Sequence, residues 1–238
     1  MASFPFFRRS FALVPALRQG TKTRDLLAGT PLVLFYAFNA NAKVRALIEA
    51  LVTFDPAKFD FRKFLTVLSD VSVLSVALVF VVSVLMRPPA IARAPGIMPR
   101  IAAIAGTYLA VGLVLFSSPT TTSVPVICLS LLLVFFGMSF AAWAVFYLGR
   151  SVSLIAEARR LVTGGPYRFV RHPLYLGEQV AIAGVMLQYL SPVAIFVFAV
   201  QIAFQLYRMS CEEKVLAATF SEYADYARRT WRVLPGLY

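Results

Sequence analysis

Arg208 and Glu212 stand four residues apart in a largely apolar stretch, and Tyr167, Arg171, His172 and Tyr175 form a second cluster upstream. At i, i+4 the arginine and the glutamate share one helix face. A guanidinium fork grips a carboxylate in two bonds, and a carboxylate accepts hydrogen bonds from ammonium or hydroxyl groups. His172 is the only histidine of the chain, and Pro173 follows it. That proline suits the first position of a helix and keeps the residue before it out of the helical region. His172 is therefore expected at the N-cap of a helix starting near Leu174, where unpaired amides favour a negative group. Gly164-Gly165-Pro166 should form a turn just before it, the glycines supplying backbone angles closed to other residues. Together these residues can bind and orient a polar or charged ligand. A zinc site is not expected from one histidine with Cys128 and Cys211 far apart in sequence, nor is a disulfide.

Each group also has a plainer reading. Arg208 with Glu212 alone is an ordinary ion pair where a helix leaves a membrane, the arginine stem lying along apolar surface. Arg171-His172-Pro173 alone is a helix start, and Tyr223 and Tyr226 alone are packing or interface anchors. The joint occurrence carries the functional reading.

The elements that must position these residues are membrane helices. The chain has 238 residues, 60% hydrophobic and only 14% charged, against about a quarter charged in soluble domains. Its net charge of +12 does not argue for nucleic acid, because the basic residues flank apolar runs, as loops facing anionic headgroups do. Spans are expected over 65–86, 101–116 and 124–148, followed by a tight hairpin of 174–190 and 193–207 turned at Ser191-Pro192. The helical pattern continues past Tyr207 as an amphipathic segment. Asp70 reads as a carboxylate at headgroup level. Residues 26–40 are apolar but short of the roughly 20 residues a span needs, with Asn39, Asn41, Lys43 and Arg45 close behind. If 26–46 crosses, there are six spans; if not, five. The loops at 87–100 and 149–173 and the tail after 208 are basic, whereas 117–123 and 191–192 carry no charge, so the first set should face the cytoplasm. Residues 1–25 read as a basic, aromatic segment lying at the interface rather than as an export signal. The chain divides into 1–64 (basic segment, possible first span and loop), 65–148 (transmembrane helices) and 149–238 (the site-bearing core).

Gly-Pro-Tyr-x-x-x-Arg-His-Pro-x-Tyr-x-Gly over 165–177 resembles the first cofactor motif of the isoprenylcysteine carboxyl methyltransferase family, which phospholipid N-methyltransferases share. Arg208, Glu212-Glu213, Leu216, Phe220, Tyr223, Tyr226 and Pro235 resemble the second motif, with Ser221 where the family often has glycine. The resemblance covers about 148–237. It implies an all-α, polytopic membrane bundle whose cytoplasmic cofactor site is formed by the last helical hairpin, its preceding loop and the C-terminal tail. It implies S-adenosylmethionine as methyl donor, S-adenosylhomocysteine as product, a lipophilic small-molecule or lipidated substrate as acceptor, and membrane lipid as a partner. By the same resemblance Arg160, Leu161, Val162, Tyr167, His172, Pro173, Leu174, Tyr175 and Glu212 bind the cofactor, Arg208 faces the substrate, and Arg208 with Arg171 are the catalytic candidates. The expected location is an integral, multi-pass protein of a bacterial inner membrane.

The acceptor stays open between two chemistries. A carboxylate, gripped by Arg208, is already ionised and needs no base. An amine must arrive neutral, and Glu213 or Glu178 could take its proton. Glu178 lies a turn inside a membrane helix, where charge is expensive. A non-catalytic binding subunit is the reading from another class. A transporter is weaker, because the spans read as nearly all apolar.

Overall fold

The computed structural model describes residues 14–15 and 22–236. The interfacial segment expected over 1–25 therefore lies outside the described residues, apart from Val14–Pro15 and the helix start from Lys22. Seven α-helices are described: α1 (Lys22–Val52), α2 (Phe61–Met86), α3 (Met98–Phe116), α4 (Val124–Leu148), α5 (Pro173–Gln188), α6 (Pro192–Thr219) and the short α7 (Tyr223–Arg229). Three two-residue strands, β1 (Val14–Pro15), β2 (Ala92–Arg93) and β3 (Glu157–Ala158), form a small antiparallel sheet in that order. The architecture is the all-α membrane bundle expected from composition. Among the described residues α2, α6 and α4 with the turn after it are long and apolar enough to cross a membrane, and α3 holds a shorter apolar run.

Local chemistry sets the helix ends. Asp60 caps α2 by accepting from the amides of Arg62 at 2.9 Å and Lys63 at 3.4 Å, so this helix starts a turn before Leu65. Ser191 caps α6 through the amide of Ala194 at 3.2 Å, with Pro192 at the first helical position. α6 then runs unbroken to Thr219, carrying Arg208, Glu212 and Glu213 on one continuous helix.

α1 differs most from the sequence reading. It continues through Asn39, Asn41, Lys43 and Arg45 because some of these polar groups find partners inside the protein. Asn39 donates to the carbonyl of Phe35 at 2.8 Å, and Lys43 pairs with Asp70 of α2 at 2.5 Å. At the other end Gly29 lies against Val84 and Arg87. α1 and α2 are thus antiparallel along most of their length, and Asp70 is an ion-paired, buried side chain rather than a solvated one.

The two sets of loops separate physically. Ile91 and Ala94 donate backbone hydrogen bonds to Ala158 and Ala156, and Arg159 donates to the carbonyl of Pro88, so the basic loops share one end. At the opposite end the uncharged loop meets the α5–α6 turn, where the amide of Thr120 donates to Gln188 at 2.7 Å. The turn between α5 and α6 is tight, as expected, but the arms diverge. α5 packs chiefly on α4 and α6 on α3, and α5 makes little contact with α6.

Candidate active site

The first motif folds as its residue types dictate. Gly165 has φ +58°, in the left-handed region, and an added Cβ would lie 2.4 Å from the Tyr147 ring, so both conformation and space require glycine. A 3₁₀ turn over Gly165–Arg168 then buries Tyr167. His172 is the N-cap residue of α5 and Pro173 its first residue. One turn on, the Tyr175 ring stacks on the imidazole, with centroids 5.5 Å apart and planes 11° off parallel.

The tail closes over this segment. Val170 bridges Trp231 in parallel fashion. The amides of Arg171 and His172 donate to the carbonyls of Trp231 (2.8 Å) and Arg232 (3.1 Å), while the Trp231 amide donates to Phe169 at 3.0 Å. Arg171 also donates to the carbonyls of Ala227 and Thr230 at 2.8 and 2.6 Å. Glu213 locks the arrangement, since one of its oxygens lies 3.1 Å from Arg171 Nε, from Arg232 Nε and from His172 Nε2.

The neighbouring glutamate faces the other way. Glu212 accepts a short hydrogen bond from the Tyr175 hydroxyl and a second from Arg208 Nε at 3.2 Å. Arg208 is buried, its guanidinium 4.8 Å from the Tyr175 ring centroid. It also donates to Thr107 Oγ1 at 3.3 Å and to the carbonyl of Ser153 at 3.2 Å. His172, Tyr175, Glu212 and Arg208 thus form one contiguous set linking both motifs.

A cleft with about 810 Å³ of empty space, partly open to solvent, lies along this set. Arg160, Leu161, Val162, Tyr167, Arg171, His172, Leu174, Tyr175 and Glu212 line it. Pro173 does not; it is fully buried at the helix start. Arg208 sits beside the cleft, reaching it through Glu212 and Tyr175. Burial pushes the Tyr167 hydroxyl well above the ordinary phenol range, and the negative charge of Glu212 adds to this. Burial raises Tyr223 and Tyr226 as well, so these three of the four phenols along the cleft stay neutral at cellular pH. The Tyr226 hydroxyl donates to the carbonyl of Tyr167 at 2.8 Å.

Sequence reasoning missed two features. Glu157, on β3, lines the cleft with a side chain only 4% exposed. It is held by Arg93 Nε at 2.8 Å and by Arg159 and Ser153, each at 2.6 Å. A lone glutamate in a basic loop reads as solvated, so nothing local marked it. The second feature is a stripe on α6, where Gln201, Gln205 and Arg208 lie on one face at i, i+4 and i+7 and all are buried.

Residues 125–223 match the phospholipid methyltransferase family model. This segment is similar to that family. It contains the first motif and the Arg208–Glu212–Glu213 set, so the matched residues and the cleft coincide. Two curated proteins are similar over a shorter stretch. The cobalt-zinc-cadmium resistance protein CzcN of Cupriavidus metallidurans is 38% identical over 79 residues, covering 32% of this chain and 36% of that protein. The nickel-cobalt-cadmium resistance protein NccN of Alcaligenes xylosoxydans xylosoxydans is 37% identical over 83 residues, covering 34% of this chain and 38% of that protein. The chain thus spans a little over a third of the length of the curated relatives it matches.

Proposed function

We propose that this protein is an S-adenosylmethionine-dependent methyltransferase that modifies the polar head of a lipophilic acceptor at the membrane surface. The observation that carries this reading is the cleft itself. Within a segment similar to phospholipid methyltransferases, both motifs converge on one space bounded by His172, Tyr175 and Glu212. The side chains present fit the donor. Tyr167 and Tyr175 offer aromatic faces to adenine or to a cationic sulfur, Leu161 and Val162 offer apolar wall, and Glu212 offers a carboxylate to an ammonium or to ribose hydroxyls. Bound there, S-adenosylmethionine would supply an electrophilic methyl group on a cationic sulfur, which keeps the S–C bonding pair and leaves as part of S-adenosylhomocysteine.

The chain's own residues then hold and orient. Arg171, with Glu213, keeps the tail over the cleft and limits water there. Arg208 pins the Glu212 carboxylate and crosses from the cleft toward the membrane interior. The proposed topology puts the basic loops on the cytoplasmic side of a bacterial-type inner membrane, with α1 crossing beside α2 to give six spans.

The acceptor first suggested by the motifs is a carboxylate on an isoprenylcysteine-like molecule, with Arg208 as its anchor. The second reading, methylation of an amine head, has a specific observation in its favour. Arg208 is already paired with Glu212, and Glu178 lies within its electrostatic reach, so two carboxylates share one cation. The names of CzcN and NccN point to metal resistance. If this chain shares that role, its route would be modification of the membrane rather than ligation of the metal. The test is methyl incorporation from labelled S-adenosylmethionine by the purified protein in vesicles, with N-acetyl-S-farnesylcysteine or phosphatidylethanolamine as acceptor. Turnover of either supports the reading and chooses the chemistry. A folded protein that neither binds S-adenosylhomocysteine nor turns over either acceptor is a binding subunit.

A further inference from the structure

The divergence of α5 from α6 leaves polar side chains in the middle of the bundle. Tyr36 of α1, Thr107 and Tyr108 of α3 and Glu178 of α5 are each partly buried. They surround the inner side of Arg208. Thr107 accepts from its guanidinium, and Tyr36, Tyr108 and Glu178 lie within its electrostatic reach. Tyr36 is fixed by stacking on Phe80 at 4.5 Å, and Tyr108 by an edge contact to Phe35 at 4.8 Å. Glu178 is oriented by Gln205, whose side-chain amide donates to Glu178 Oε2 at 3.2 Å. Gln201, one turn deeper on α6, donates to the carbonyl of Gly106 at 2.8 Å.

Glu178 and Glu212 are two carboxyl groups set around the single guanidinium of Arg208. The side-chain oxygens of Gln201 and Gln205 are buried and have no hydrogen-bond partner. A buried acceptor left without a partner is destabilising. The set therefore lacks hydrogen-bond donors, not acceptors.

We propose that Glu178 receives the head of the acceptor and selects an amine over a carboxylate. The proposal rests on the methyl-transfer reading and sharpens its second acceptor class. An ammonium entering between α5 and α6 meets Glu178 away from water. There an ion pair is expensive to desolvate, and passing one proton from nitrogen to a Glu178 oxygen leaves a neutral amine beside a neutral acid. The nitrogen then holds the free electron pair that methyl transfer needs. A carboxylate head meets two like charges instead.

The experiment compares the full-length protein with its Glu178→Gln variant in nanodiscs, without any methyl donor. Equilibrium binding of dodecylamine and of dodecanoate is measured for each, and S-adenosylhomocysteine binding is followed separately by calorimetry. The wild type should prefer dodecylamine by about tenfold or more. Glu178→Gln should lose that preference while binding S-adenosylhomocysteine within about twofold of wild type. An amine preference that survives in Glu178→Gln overturns the proposal, as does a wild type preferring dodecanoate. If the glutamine variant does not fold, Glu178→Met with a matched melting temperature is read by the same criteria. A wild-type protein that prefers the amine but binds no S-adenosylhomocysteine would leave Glu178 in place and remove the methyl-transfer reading, so the two failures are distinct.

Discussion

Against α4, helix α5 lies as close as two backbones can. A Cβ added to Gly137 would stand 2.6 Å from the Gly177 carbonyl oxygen and from the Ala181 amide nitrogen, and one added to Gly177 would stand 2.6 Å from the Gly137 carbonyl oxygen. Gly184 repeats the pattern a little further along, 2.8 Å from the Ser130 carbonyl oxygen. Against α6, the same helix makes scant contact beyond the shared turn, and what faces the gap is polar: Glu178, Gln205 and Arg208. The difference teaches how a membrane bundle keeps a site. Without a hydrophobic drive between helices in lipid, small residues let one pair adhere through dispersion and backbone contact. The pair left unsealed holds the ionisable groups and can admit a ligand. Gly177 belongs to both sides of this comparison, since it closes the first motif and seats α5 on α4.

If the seam is the rigid side, Gly137→Val should have the largest effect on stability. Overpacking of this kind costs about 1–3 kcal/mol or more, and the detergent-solubilised protein should melt several degrees lower with its helix content retained below the transition. An unchanged melting curve would mean that α4 and α5 part easily.

The ion pair between α1 and α2 comes next. Lys43→Met leaves Asp70 buried without its cation, and the double variant Lys43→Met with Asp70→Asn removes both charges. The single variant should be the less stable of the two by about 1–2 kcal/mol, a figure reduced because Lys43 is about a third exposed. Equal stability would show that the pair contributes little.

A smaller and more local effect is expected at the clasp. Glu213→Gln removes the carboxylate that Arg171, His172 and Arg232 share. Amide exchange over 223–236 should speed up about tenfold while α4 and α5 keep their protection. Exchange unchanged in the tail would assign the clasp to the backbone bridge at Val170 and Trp231 alone. The smallest effect belongs to Gly112→Val on α3, where an added Cβ meets nothing within 4 Å. Its melting temperature should match that of wild type, which makes it the control for Gly137→Val.

Much of this organisation was legible from residue types. Pro173 placed His172 at the helix start, and loop charge sorted the connections into two sets that the structure finds at opposite ends. Those signals are local or additive. What could not be read depended on partners distant in sequence. Lys43 looked like an interruption of α1 until Asp70 supplied its counter-ion. Gly177 gave no hint of Gly137, and β2 and β3, at two residues each, are too short to show an alternating pattern. Glu178 was marked as a charge inside a membrane helix, but Gln201 and Gln205 were diluted among apolar neighbours, and only the helix face they share with Arg208, or the gap they border, makes the three a set.

Glu212 is the residue on which binding of the soluble donor turns. Calorimetry with S-adenosylhomocysteine on the wild type and on Glu212→Gln, both shown folded by matching melts, measures this directly. The account predicts saturable binding to the wild type and a loss of about 10- to 100-fold in the variant, the worth of one charge-assisted hydrogen bond. Binding of equal strength to both proteins, or to neither, would contradict it.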